Sequence, residues 1–143
     1  MYYIRRFFYF SKVYEQRSIE KRQDEVINKI ADVVGNAEVE TRDARRIADV
    51  RQIITAVELY WNDQGTYPPN VTPGGAISSF INEVPGNPLP NDGVCDTNFE
   101  YEYKVLDNGQ SYELSYCLGE TTKSGDRFIK AGYNKAGPEG IAK

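Results

Sequence analysis

The tightest constraint on this chain is residues 42–68, RDARRIADVRQIITAVELYWNDQGTYP, where an apolar stripe runs into an abrupt stop. Ile47, Val50, Ile54, Val57 and Trp61 recur at steps of three and four, so a helix places them on one face. Ile53 and Tyr60 widen that face, and Arg45, Asp49, Gln52, Thr55 and Glu58 fall largely outside it. Asn62-Asp63-Gln64-Gly65 supplies the stop, because Gly65 can take the left-handed cap conformation at little cost. Pro68-Pro69 then prevents the helix from resuming. A helix with one apolar face needs a partner surface, and the chain after Gly65 offers one.

The best strands follow. Phe99, Tyr101, Tyr103 and Val105 alternate with Glu100, Glu102 and Lys104, a period of two that turns the first set inward. Asp107-Asn108-Gly109 is a strong hairpin signal. Tyr112, Leu114, Tyr116 and Leu118 then alternate with Glu113, Ser115 and Cys117. Such a pair would cover the Ile54/Trp61 side of the helix, with a third strand expected over residues 128–133. Between helix and hairpin, residues 71–75 read as loop and 76–83 as a short helix with Ile77, Phe80 and Ile81 inward. Val84-Pro85-Gly86-Asn87-Pro88 has the chemistry of a turn.

Upstream, the chain is charged yet periodic. Ile19, Val26 and Val33 share a seven-residue register with Ile47, Ile54 and Trp61, broken by Glu40, and Ile30, Ala37 and Ala44 sit at a second position of the same register. A helix over residues 12–62 would be about 75 Å long, with Gly35-Asn36 as its weak point. A stripe of this kind buries against a partner helix or the chain's own core more often than against a ligand. The first ten residues hold Tyr2, Tyr3, Ile4, Phe7, Phe8 and Phe10 around Arg5 and Arg6. Rings beside basic groups suit a membrane interface, and equally suit packing on the head or on another copy. The segment is too short to span a bilayer and has no signal-peptide pattern.

Composition narrows the function. At 143 residues and 40% hydrophobic content, the chain suits one small domain with a modest core. Residues 65–143 carry six basic and ten acidic side chains, a poor balance for nucleic acid, which needs clustered Lys and Arg. With no His, the usual general base and commonest metal ligand are missing. No Gly-x-Ser-x-Gly elbow or phosphate loop occurs, and strand alternation puts Glu100 and Glu102 on a solvated face. The expectation is no enzyme, no cofactor and no nucleic-acid partner. Asn70-Val71-Thr72 fits the N-glycosylation pattern, which arises often by chance. Cys95 and Cys117 suggest one disulfide in an oxidising compartment; the alternative is two unpaired thiols, one of them in a strand.

Residues 44–68, with Ala-Arg-Arg-Ile-Ala-Asp-Val-Arg-Gln-Ile followed by Leu-Tyr-Trp-Asn-Asp-Gln-Gly-Thr-Tyr-Pro, resemble the end of the long N-terminal helix of type IV pilin-like proteins, especially major pseudopilins of type II secretion. Val84-Pro85-Gly86-Asn87-Pro88 resembles the Val-Pro-x-Asp-Pro turn of those heads, with Asn87 in place of Asp, and the Pro138-Glu139-Gly140-Ile141 tail matches more weakly. The resemblance covers about the last two-thirds of the chain. It implies an α+β fold, with a long N-terminal helix packed on a three- to four-stranded antiparallel sheet, and a Cys pair in the head. It also implies a structural subunit or accessory component of a type IV pilus or type II secretion pseudopilus, in the bacterial cell envelope or extracellular, whose partners are other pilin-like subunits in a homo- or hetero-oligomer. Assembly would use the stripe of Ile19, Val26, Ile30, Val33, Ile47, Val50, Ile54, Val57 and Trp61, with Arg45, Arg46 and Arg51 available to acidic residues of the next copy.

Residues 1–41, a charged stem, depart from the family, which begins with Phe-Thr-Leu-Ile-Glu and about twenty apolar residues after a leader; residues 42–143 form the pilin-like part. Pseudopilins also bind Ca²⁺ in the C-terminal loop, where this chain offers Ser124, Gly125 and Asp126, then Lys130, Asn134, Lys135 and Glu139, a poor hard-cation cage. No metal is expected. The alternative function is a soluble or membrane-peripheral binding or adhesion module that uses exposed Tyr residues of the head.

Overall fold

A computed structural model describes the backbone of residues 2–141 and the side chains of residues 13–141. The fold is α+β. Helix α1 (Tyr2–Gln64) is followed by a long irregular segment and six short strands: β1 (Glu102–Leu106), β2 (Ser111–Leu118), β3 (Thr122–Ser124), β4 (Arg127–Ile129), β5 (Gly132–Gly137) and β6 (Gly140–Ile141). An antiparallel sheet of order β1-β2-β5-β6 and a separate β3-β4 hairpin make up the β structure. The chain divides into two compact units, residues 1–38 and 39–143. Tyr2, Tyr3, Ile4, Arg5, Arg6, Phe7, Phe8 and Phe10 lie outside the described side chains. No helix among the described residues is long and apolar enough to cross a membrane.

In residues 39–143 the helix packs against the sheet. Val50, Ile53 and Val57 are fully buried, with Ile47 and Ala56 beside them, against Tyr101, Tyr112, Leu114, Tyr116 and Leu118 of the sheet region. The buried stripe is rotated from the expected one. Ile54 is only half-buried and Trp61 is 37% exposed, while the central line runs Asp43, Arg46, Val50, Ile53 and Val57. That line has the same alternation of three and four, but two of its members are charged, so a search for apolar positions lands one step round the helix.

The helix stop works as expected. Gly65 has φ 71° and its N–H donates to the Trp61 carbonyl at 2.8 Å, closing the last turn. The hairpin turn also holds: Asp107, Asn108 and Gly109 all have positive φ, which these residue types tolerate better than most. Gly109 sits so close to Thr66 Oγ1 that a Cβ would collide with it, and its carbonyl accepts from the Tyr67 N–H at 2.8 Å. Hairpin turn and helix stop are thereby pinned together.

Three local expectations are corrected. Residues 76–83 are turns around an Ile77–Ile81 bridge rather than a helix, though Ile77 and Ile81 are buried and Phe80 packs on the core. The third strand of the main sheet is β5, from Gly132; Phe128 belongs to the separate hairpin and is 71% exposed. Val105, in edge strand β1, stays 36% exposed.

Cys95 and Cys117 form a disulfide. Cys117 points to the sheet face opposite the helix, yet is buried, because the segment joined to it through Cys95 covers that face. There Phe99 and Tyr133 meet edge to face at 5.3 Å, and the Tyr133 hydroxyl donates to Asp96 Oδ2 at 2.5 Å. The bridge joins residues 22 apart. Replacing both cysteines with Ser should lower unfolding stability by about 3 kcal/mol, measured by urea denaturation, with the helical signal retained. Ile53→Ala should cost about 2–5 kcal/mol in the same assay, and Ile54→Ala clearly less.

Candidate interaction site

The polar centre of the head is a four-charge cluster beneath the helix. Arg46 is fully buried and spends all five of its guanidinium N–H groups. Nε donates to Asn87 Oδ1 at 3.1 Å; Nη1 donates to Asp43 Oδ1 at 2.7 Å and Asp92 Oδ2 at 3.0 Å; Nη2 donates to the carbonyls of Pro88 at 2.8 Å and Pro90 at 2.9 Å. Asp92 also receives a two-pronged contact from Arg42, at 2.9 and 2.8 Å. Asp43 in turn accepts from the backbone N–H groups of Gly119 and Glu120, at 3.0 and 2.8 Å. Two cations and two anions thus join the helix to the 87–92 loop and to the turn after β2.

Asn87 explains why an amide suits this position. Its Oδ1 accepts from Arg46 while Nδ2 donates to the Phe99 carbonyl at 3.0 Å and to Asn91 Oδ1. A carboxylate could do the first but not the second, and would add a third negative charge to a balanced set. The close approach also demands Gly119, where a Cβ would stand 2.5 Å from Asp92 Cβ and 2.9 Å from Val39 Cγ1.

A second cluster surrounds the end of the helix. Tyr67 donates to Glu58 at 3.1 Å, and the Tyr112 hydroxyl, with one proton to give, lies 3.3 Å from Glu58 Oε1 and 3.1 Å from the Gly137 carbonyl. Tyr67 packs edge-on to Tyr112 at 4.7 Å, Tyr103 stacks on Tyr112 at 5.6 Å, and Trp61 stacks on Tyr67 at 5.9 Å. Burial, then the charge of Glu58, pushes the Tyr67 hydroxyl up to about 12, and the same two effects raise Tyr112 further. These phenols stay protonated at neutral pH, as donors that brace the sheet.

The outer surface is different. An open groove of about 1030 Å³ runs between the helix, the β3-β4 hairpin and the tail, lined among others by Arg51, Ile54, Arg127, Phe128, Glu139 and Ile141. Arg51 donates to Ser124 Oγ at 2.7 Å. Other residues of the C-terminal loop, expected to make a poor cation cage, are engaged within the head: Asn134 donates to the Lys130 and Gly132 carbonyls, and Lys135 pairs with Glu113 at 2.9 Å. Among the described residues no three His, Cys, Asp or Glu side chains converge on one point.

Of the residues expected to mediate assembly, Ile47, Val50 and Val57 are spent in the head's own core. Ile54 is half-buried at the groove, Trp61 is partly exposed, and Ile19, Val26, Ile30 and Val33 are exposed on residues 13–38. Arg46 is withdrawn from the set of arginines open to another copy, because its own loops consume it; Arg45 and Arg51 remain at the surface. The buried polar residues Asp43, Arg46 and Asp49 give no apolar signal in the sequence, since charged side chains ordinarily face solvent. Their spacing from Val50 and Ile53 was the available signal. No family model, curated protein or solved structure matches this chain.

Asp92 and Asp49 respond to pH in opposite senses. Hydrogen bonds from Arg42 hold Asp92 below the ordinary carboxylate range, against burial and with help from Arg46. Its stabilising effect is therefore complete above the unfolded-state value of about 4 and is lost as pH falls through the lowered folded-state value. Burial raises Asp49, opposed by the hydrogen bond from Tyr101 and the charge of Arg45, so its contribution is largest below the unfolded value and is lost as pH rises through the raised one. Asp92→Asn should flatten the loss of stability in acid, and Asp49→Asn should relieve the penalty at neutral pH; thermal melts from pH 3 to 7 read both. Arg46→Ala, which leaves Asp43 and Asp92 short of a partner, should cost about 3–5 kcal/mol.

Proposed function

We propose that this chain is a structural subunit or accessory component of a type IV pilus or type II secretion pseudopilus. In this reading it acts by association rather than catalysis, in the bacterial cell envelope, alongside other pilin-like subunits. The observation that carries the proposal is how the head uses residues 44–68, the stretch that resembles pilin-like proteins. One side of that helix supplies the core and the Arg46 anchor, while the other keeps Leu59 44% exposed and Trp61 37% exposed, near the half-buried Ile54. Arg45 and Arg51 stand on the same helix and offer charge to acidic neighbours. The α+β fold, with its helix laid across an antiparallel sheet, is compatible with this role.

The groove beside Phe128 supports a second reading, a binding or adhesion module with a pilin-like head. Its mixture of exposed aromatic, aliphatic and charged lining residues suits a contact surface. The two readings place the working surface on different parts of the head.

A photo-crosslinking residue at position 59, in chain expressed in a bacterium that builds such filaments, should yield adducts with pilin-like subunits. The same residue at position 128 should not. Adducts from 128 alone would favour the binding module, and none from 59 would defeat the assembly reading. Leu59→Asp should shift stability by no more than about 0.5 kcal/mol yet remove the chain from the sheared filament fraction.

A further inference from the structure

Residues 13–38 carry an exposed apolar stripe on one helix. Ile19, Val26, Ile27, Ile30, Val33 and Val34 are between 48% and 67% exposed. In proteins most helical stability comes from packing of an apolar face rather than from intrinsic propensity. Local side-chain pairs on this tract, Lys29 to Glu25 at 2.8 Å and Arg22 to Ser18 at 3.1 Å, are exposed and add little.

The arrangement of charge says what covers it. In the heptad that sets Ile19, Val26 and Val33 at d, the a positions are Gln16, Gln23, Ile30 and Ala37. From Gln16 to Ala37 no a or d position is charged, although charged residues are frequent between them. That is a seam, built on more than three consecutive heptads. β-branched residues at d, with Ile30 at a, disfavour a two-stranded coil and favour three or more strands. Ile27 and Val34 at e widen the apolar face in the same direction.

Orientation follows from the flanks. Arg22 and Lys29 occupy g. Antiparallel packing would set these cations against one another, whereas parallel packing lays their aliphatic stems over Ile27 and Val34 of a neighbouring copy. The one like-charge approach in the parallel form, Glu15 against Glu20 of the neighbour, falls at the N-terminal end of the seam. We infer that residues 16–37 form a parallel, in-register bundle of three or more copies of this same chain. The inference goes beyond the assembly reading, since it needs no other subunit.

Sedimentation velocity of the full chain over a concentration series tests it. Wild type should sediment as a trimer or larger; the double variant Val26→Glu/Val33→Glu should lose that association; Asn28→Glu, the same charge at the outward f position, should keep it. Near-UV circular dichroism from the tyrosines and Trp61 of the head should be unchanged in all three, which separates loss of assembly from unfolding. Among the described residues there is no free thiol, so Gln23→Cys supplies a single reporter, and oxidation should link copies through the a layer. A monomeric wild type overturns the inference, as does association that survives the double Glu variant. Association without a link at position 23 overturns the parallel register. A failure here leaves the crosslinking result at position 59 standing, and the reverse is equally true.

Discussion

The head depends on a buried guanidinium. Arg46 sits where an aliphatic residue would be expected, on the line from Asp43 through Val50 to Val57, and every one of its N–H groups has an acceptor. Burying a charge costs several kcal/mol, and the cluster offsets that cost through two carboxylates and three oxygens fixed in loop and turn. An apolar side chain of the same volume would fill the space. It would not hold the carbonyls of Pro88 and Pro90, which belong to a segment with little regular structure of its own. Residues 65–101 contain no strand beyond an isolated bridge, so scattered backbone bonds, side chains and the disulfide fix their position rather than a ladder.

The same anchor explains the tolerance for irregularity around it. The 87–99 segment is held by Arg46 and Arg42 at one end, by Asn87 and Asn91 against the Phe99 carbonyl, and by Cys95 on the far face of the sheet. Helix, loop and both sheet faces become one unit, and the cost of ordering a long loop is spread over many specific contacts. Exposed apolar residues on the helix near Leu59, and the open groove at Phe128, then lie on a surface whose shape is set from within.

The α+β class, the helix stop at Gly65, the Asp107-Asn108-Gly109 turn and the alternation along β2 were all legible in the sequence, because each rests on local geometry. A period of 3.6 or 2, a residue that tolerates positive φ, and a pair of prolines act over a few neighbours and need no knowledge of the rest of the chain. Pairing of Cys95 with Cys117 was also within reach, since the chain contains only two cysteines. Asp43, Arg46 and Asp49 were not legible: whether a charged residue on a helix faces water or a partner depends on a loop more than forty positions away. The limits of β3, β4 and β5 were hidden for a related reason, since short strands rich in Gly and Lys are defined by what they pair with.

Sequence by itself therefore determined which segments could be helix or strand and where the chain must turn, because those choices are made by sterics and hydrophobic period within a few residues. Only the tertiary structure decided which side of the helix is core, for the energy of a buried charge is set by the acceptors brought to it from elsewhere in the chain. Arg46 is buried because Asp43, Asn87, Pro88, Pro90 and Asp92 meet there, and no local pattern in the helix could announce that meeting.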